Sequence, residues 1–444
     1  MRTPMIPLAI AAGLALAPPG GANALQASNA VAARVDPQTV AGNFLDQLDA
    51  GDYTAASARF TEQMASAVPA DKLKAVWQSL PKQLGAAEGR GEAEVAERDG
   101  MQVVVVPLHY ANGDIQATIA VTADGHIASF LVRPAAPPAP PPPAADAAFV
   151  ERDFSVGEGE RALPGTLALP NGAGPFPAVV LVHGSGPQDR NETVGANRPF
   201  LDIARGLAAQ GIAVLRYDKR SKARPQDFAD GDYDVDEETT DDAVAAVAAL
   251  RSTDKIDPDR VFVLGHSQGG MLAPRIAAHS GEVAGLVMLA APARSLLDIL
   301  PEQNRYLLNA DGSINQAEQD FLDDLDASIA QLRSGEPMEA EDTPLGLPVR
   351  YWREFDRIDP VADALASDLP MLLLQGGRDF QVVDRDWQLW QQALADEPNA
   401  TLKHYPALNH LGIAGEGPGT MAEYQVPGHV DPTLIDDIAA WIKR

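Results

Sequence analysis

The chain has 444 residues, 62 acidic and 34 basic, giving a formal charge of -28, and it contains no cysteine. So acidic a chain, with no dense Lys/Arg run, argues against nucleic acid and anionic membranes as partners. Without thiols there can be no disulfide, no thiolate metal site and no cysteine nucleophile, so a catalytic nucleophile must be an oxygen.

Met1-Arg2-Thr3, the apolar run from Met5 to Ala17 and then Ala22-Asn23-Ala24 follow the pattern of a secretory signal peptide over residues 1–24, cleaved near Ala24. The apolar run is too short to span a bilayer, and no later segment approaches ~20 uninterrupted apolar residues. A periplasmic or secreted protein without membrane insertion is expected. No cysteine follows the run, which excludes a lipoprotein anchor.

Over residues 30–133 helical periodicity comes first. Val40, Phe44, Leu45 and Leu48 mark one face, Tyr53, Ala56, Phe60 and Met64 a second, and Leu73, Val76, Trp77 and Leu80 a third. Strand patterns follow at 101–110, 114–122 and 126–132, the last after an Asp124-Gly125 turn. Helices followed by an antiparallel meander predict a small α+β domain. The order resembles the NTF2-like or cystatin-like domains that precede some exported hydrolases. His109 and Trp77 fall on apolar periodicities and read as core or rim residues rather than pocket lining. Residues 134–148, almost all Pro and Ala, predict an extended polyproline II spacer.

From residue 149 to 444 the pattern alternates. A leading antiparallel strand is expected at 163–169. Short Val/Leu-rich runs at 177–183, 212–217, 261–265, 284–289, 371–375 and 401–405 read as buried parallel strands. Helical patterns lie between them, one over 241–250 opening on acidic residues suited to a helix N-terminus. This is the signature of an α/β fold with a doubly wound, mostly parallel sheet. Residues 296–365 interrupt it with a helical, acidic insertion, expected to cap the sheet edge.

The chemistry sits at the strand ends. Gly265-His266-Ser267-Gln268-Gly269 follows a predicted strand and opens a predicted helix, which is the nucleophile-elbow arrangement. A serine needs a base and an oxyanion site to react. His410, in the loop after 401–405, can hang over the sheet edge as the base; His429 is the second candidate. His404 lies within a strand, and His266 points away from its neighbour. Asp379, in the loop after 371–375, is the candidate acid, whereas Asp384 and Asp386 fall at a helix start, where capping is the commoner use. The backbone N–H groups of Gln268 and of Ser185, or of Gly186, are the candidate oxyanion donors. The loop His183-Gly184-Ser185-Gly186-Pro187 has the glycines such an approach needs.

Ser267, Asp379 and His410 in that order, with the 183–187 loop, resemble the α/β-hydrolase superfamily. Three further runs, 188–192, 197–200 and 215–220, narrow the likeness to bacterial serine carboxylesterases of the EstD type. The resemblance implies hydrolysis of short- to medium-chain carboxylic esters through an acyl-enzyme, with small-molecule esters as partners and no cofactor or metal. The chain departs from the family at Ser221-Lys222-Ala223-Arg224-Pro225, where a Gly-x-Gly-like turn is usual, which leaves substrate range open. Thioesterase and peptidase chemistry use the same triad, and a ligand-binding protein with a vestigial triad is the alternative of a different class. The sequence carries no signal for oligomeric state.

Overall fold

The computed structural model describes residues 35–98, 101–111, 113–134 and 139–444; the expected signal peptide lies outside the described residues. Two compact units divide at residues 139 and 140.

In the first unit the helix Pro37–Asp49 is started by Asp36, whose carboxylate accepts the N–H groups of Gln38 and Thr39. Helices Tyr53–Ser57, Glu62–Ala67 and Ala70–Leu84 follow. The single helical face expected through Tyr53 and Met64 is split at Phe60, which bridges to Ile127 instead. Strands β1 (Ala87–Arg90), β2 (Glu94–Arg98), β3 (Met101–Tyr110), β4 (Gly113–Val121) and β5 (Ile127–Pro134) form an antiparallel sheet in the order β1-β3-β4-β5, with β2 also on β3. Alternation along β3 and β4 turns Val104, Val106, Leu108, Ile115, Ala117 and Ile119 inward. They bury Phe44, Leu45, Leu48, Leu73 and Trp77 from the helices. Trp77 is thus core, its indole N–H donating to Asp49 at 3.1 Å, while His109 is half-buried at the rim, 3.0 Å from Asp114.

The second unit is built on eight strands: β6 (Phe149–Val156), β7 (Leu163–Pro170), β8 (Phe176–Val182), β9 (Ala213–Tyr217), β10 (Ile256–His266), β11 (Leu286–Leu289), β12 (Met371–Gly376) and β13 (Ala400–Tyr405). Their order is β13-β12-β11-β10-β8-β9-β7-β6. The run from β13 to β9 is parallel, and β7 and β6 join it antiparallel. Strand β6, unanticipated from the sequence, precedes the expected leading strand. Helices Pro199–Ala209 and Pro432–Ile442 cover one face, through Phe200, Ile203, Leu207 and Ile438. Helices Asp241–Arg251 and Gln268–Ser280 cover the other, through Val247, Leu250, Leu272 and Ile276. Covered on both faces, β11 and β12 are buried along their whole length and β8 from Ala178 onward, as their apolar runs require.

Between β11 and β12 lie the helices Leu296–Leu308, Gln316–Ser334, Val349–Phe355 and Pro360–Leu365. Ile329, Leu332, Tyr351, Trp352 and Phe355 from this insertion join the main core. The C-terminal ends of β8, β10, β12 and β13 bring together four loops, and the crevice there is where sheets of this class place their ligands.

Candidate active site

Ser267 joins β10 to the helix Gln268–Ser280 with φ 53 and ψ -119, a conformation that side-chain-bearing residues rarely adopt. Its N–H donates to Leu289 of β11, and its carbonyl accepts from Met271. The turn is tight enough that a Cβ at Gly265 would strike the Gly269 carbonyl, and one at Gly269 the Val182 carbonyl. Glycine at both positions is therefore a steric requirement. Ser267 itself remains partly accessible, while residues 261–266 and 268–270 are buried.

His410 and Asp379, 31 residues apart in the chain, meet at 2.7 Å between Nδ1 and Oδ2, both buried. Asp379 accepts the N–H groups of Gln381 at 2.8 Å and Val382 at 2.9 Å on Oδ1, and the Gln375 amide at 3.2 Å on Oδ2. The carboxylate is thereby held from four directions. With Nδ1–H donated to it, His410 keeps its lone pair on Nε2, the atom a general base needs. The loop carrying His410 is shaped by Asn409, whose side-chain oxygen accepts from Leu411 and Ile413. Gln375 and Asn409 were not singled out in the sequence.

The remaining histidine and aspartate candidates are engaged elsewhere. His429 is exposed and 3.1 Å from Asp202. His404 lies against Trp387 on β13, 4.0 Å from Asp384. Asp386 is fully buried, accepting from Ala293 N–H and pairing with Arg294.

His266 is buried, its ring centroid 4.6 Å from that of His410, and its Nε2–H donates to the His410 carbonyl at 2.9 Å. Its Nδ1 faces Glu192 at 3.0 Å, off the hydrogen-bond line. Burial works against the imidazolium, but the Glu192 charge outweighs it and raises the His266 pKa. Burial would raise the Glu192 carboxyl in turn; the facing His266, with the Gly184 N–H, holds it below the usual range. The other Glu192 oxygen accepts the Gly184 N–H at 2.6 Å, so one carboxylate joins the 183–187 loop to the elbow.

That loop has a second anchor. Lys219, just past β9 and 2% exposed, donates to the Gly184 carbonyl at 3.0 Å and pairs with Glu238 at 2.9 Å. Glu238 lies in the π-helical turn Asp236–Thr240, which opens the helical path five residues before the expected start at Asp241. It also accepts from Ser221 Oγ at 2.9 Å and Thr239 Oγ1 at 2.8 Å. Ser221, the first residue of the atypical 221–225 stretch, thus belongs to this cluster. The Gln268 side chain donates to the Tyr351 hydroxyl at 3.1 Å, which ties the helical insertion to the residue after Ser267. Gly184 is packed so close to the elbow that a Cβ on it would sit 3.3 Å from Ser267 Cβ. Its own N–H is occupied by Glu192. Those of Ser185 and Gly186 meet no acceptor among the described residues. The Gln268 N–H, at the first position of its helix, has no intrahelical acceptor. No cluster of three or more His, Asp or Glu with metal-binding geometry occurs among the described residues.

Residues 174–416 match the family described as serine aminopeptidases, S33, and residues 41–130 match DUF3887, a family of unknown function. Esterase EstD of Thermotoga maritima is 35% identical over 403 residues, covering 90% of this chain and 94% of its own. Among solved structures, the hyperthermophilic esterase of the archaeon Pyrobaculum calidifontis is 15% identical with a TM-score of 0.43, over 66% of this chain and 82% of its own. Est1E of Butyrivibrio proteoclasticus is 16% identical with a TM-score of 0.41, over 66% and 96%.

Proposed function

The chain belongs to the S33 family of α/β-hydrolases, among the esterases related to EstD, and we propose that it is a serine carboxylesterase acting through Ser267, His410 and Asp379. The observation that carries this reading is the buried 2.7 Å contact between His410 and Asp379, on a loop hydrogen-bonded through His266 to the strained turn at Ser267. In this mechanism His410 Nε2 takes the Ser267 proton as Oγ attacks the ester carbonyl. The tetrahedral oxyanion rests on the N–H groups of Ser185 and Gln268. Collapse breaks the carbonyl–alkoxy bond, and the imidazolium protonates the departing alcohol. Water then gives a proton to His410 and attacks the acyl-serine; collapse breaks the acyl–Oγ bond, His410 returns the proton to Ser267 Oγ, and the acid is released. Asp379 stays ionised throughout, holding the tautomer and stabilising the imidazolium.

The reading extends to short- to medium-chain acyl groups and to an exported protein, the latter supported by the sequence of residues 1–24. The test is turnover of p-nitrophenyl esters from two to twelve acyl carbons, with an aminoacyl p-nitroanilide alongside because of the S33 family description. Turnover of esters, its loss in Ser267→Ala and indifference to the anilide are the expected results. Cleavage of the anilide in preference to every ester would overturn the esterase reading. The N-terminal sequence of the mature protein reports on export.

A further inference from the structure

We propose that Lys219 is a positioning residue for the oxyanion site, acting through the Gly184–Ser185 peptide. The inference rests on the reading that the Ser185 N–H is an oxyanion donor. The Gly184 carbonyl, which accepts from the Lys219 ammonium at 3.0 Å, and the Ser185 N–H belong to one peptide group. That peptide is trans and planar, so its C=O and N–H point in opposite directions. Fixing the carbonyl on Lys219 therefore fixes the N–H on the far side. The adjoining N–H of Gly184 is pinned by Glu192 at 2.6 Å, so the loop cannot swivel about its glycine. A Cβ on Gly184 would lie 3.3 Å from Ser267 Cβ, so the oriented peptide runs close to the proposed nucleophile.

Charge is the informative part. A buried ammonium must be paired to be tolerated, and Lys219 has its partner in Glu238 at 2.9 Å. A well-packed apolar pair would commonly serve stability as well or better. What an apolar pair cannot do is hold a carbonyl in one direction and polarise the amide behind it. A cationic donor on the oxygen draws electron density from the peptide, so the opposite N–H becomes a stronger donor.

The experiment uses the full chain as Lys219→Met and as the charge-balanced pair Lys219→Met with Glu238→Gln, which leaves no unpaired buried charge if the single variant fails to fold. Two rates are measured: kcat and KM on p-nitrophenyl butyrate, and the rate constant for Ser267 phosphonylation by an ethyl p-nitrophenyl alkylphosphonate. A folded variant is expected to lose about 10- to 100-fold in kcat and a similar factor in phosphonylation, with KM changed less than about threefold, since one oxyanion donor is worth on the order of 10²–10³. A packing role would show in melting temperature without this kcat-against-KM split. Wild-type rates in a folded variant, or a loss confined to KM, would overturn the proposal. If the wild type hydrolyses no ester but is phosphonylated at Ser267, the esterase reading falls while the phosphonylation ratio still decides the role of Lys219.

Discussion

The two units differ in what they bury. In residues 35–134 the interior is apolar, with Phe44, Leu45 and Leu48 against Val106 and Ile119, and the Arg90 ion pairs with Asp46 and Asp49 stay at the surface. In residues 140–444 His183, Glu192, Lys219, Glu238, His266, Asp379 and His410 are all under a tenth exposed. Each of these must recover its lost hydration from a partner, and ion pairs in an interior seldom outdo packed hydrocarbon. A sheet of this size can be held by its apolar layers alone, so interior charge gathered at one sheet edge marks where geometry rather than cohesion is being maintained.

The largest test of that contrast removes one charge from the second unit. Asp379→Asn keeps shape but supplies an amide where His410 needs an acceptor, and kcat should fall by about 10⁴-fold with little change in melting temperature. The reverse is expected in the first unit. Phe44, fully buried between the rings of Phe60 and Phe130, has no polar duty. Phe44→Ala should cost about 3–5 kcal/mol, seen as a lowered transition for that unit in calorimetry, while ester turnover is retained.

A pH titration of stability separates the units further. His183 lies in the interior against Phe200 and Tyr217, and burial first of all lowers its pKa to about 4 from the usual 6.5. The unfolded chain therefore takes up this proton first as pH falls. The contribution is complete above pH 6.5 and is lost progressively down to about pH 4, amounting to about 3 kcal/mol. Urea midpoints measured across that range should drop for the second unit and drop less in His183→Asn. His266, whose pKa is raised, contributes in the opposite sense: its stabilisation is full below pH 6.5 and fades as pH rises through its folded value. The first unit has no buried histidine among its described residues.

How much of this was readable depended on how local the cause is. The central strands announce themselves because burial on both faces demands continuous Val and Leu, as in Met371–Gly376. The elbow is readable because its steric needs fall within five residues. Asp379 and His410 could be nominated from their places after two such strands, which the structure then brings together. Strands β1, β2 and β6 were missed because they carry Glu and Arg at sheet edges, where one side chain in two has no apolar requirement. The break at Phe60 was missed because its partner, Ile127, is remote in sequence. Lys219 and Glu238 were silent for the same reason. Each is an ordinary charged residue until a π-helical turn and a strand end bring the two together. The available signal was that Lys219 directly follows a buried strand, inside a run already noted for its resemblance.

The backbone of Ser267 has a consequence for durability. Its φ of 53 and ψ of -119 cost about 1–3 kcal/mol for a residue with a Cβ, and nearly nothing for glycine, whose greater unfolded-state entropy offsets part of the gain. Ser267→Gly should thus abolish turnover yet unfold at a higher temperature than wild type, by about 1 kcal/mol. A screen that rewarded only heat resistance would discard the proposed nucleophile, so on this reading the serine is a position that only continued selection for turnover can retain.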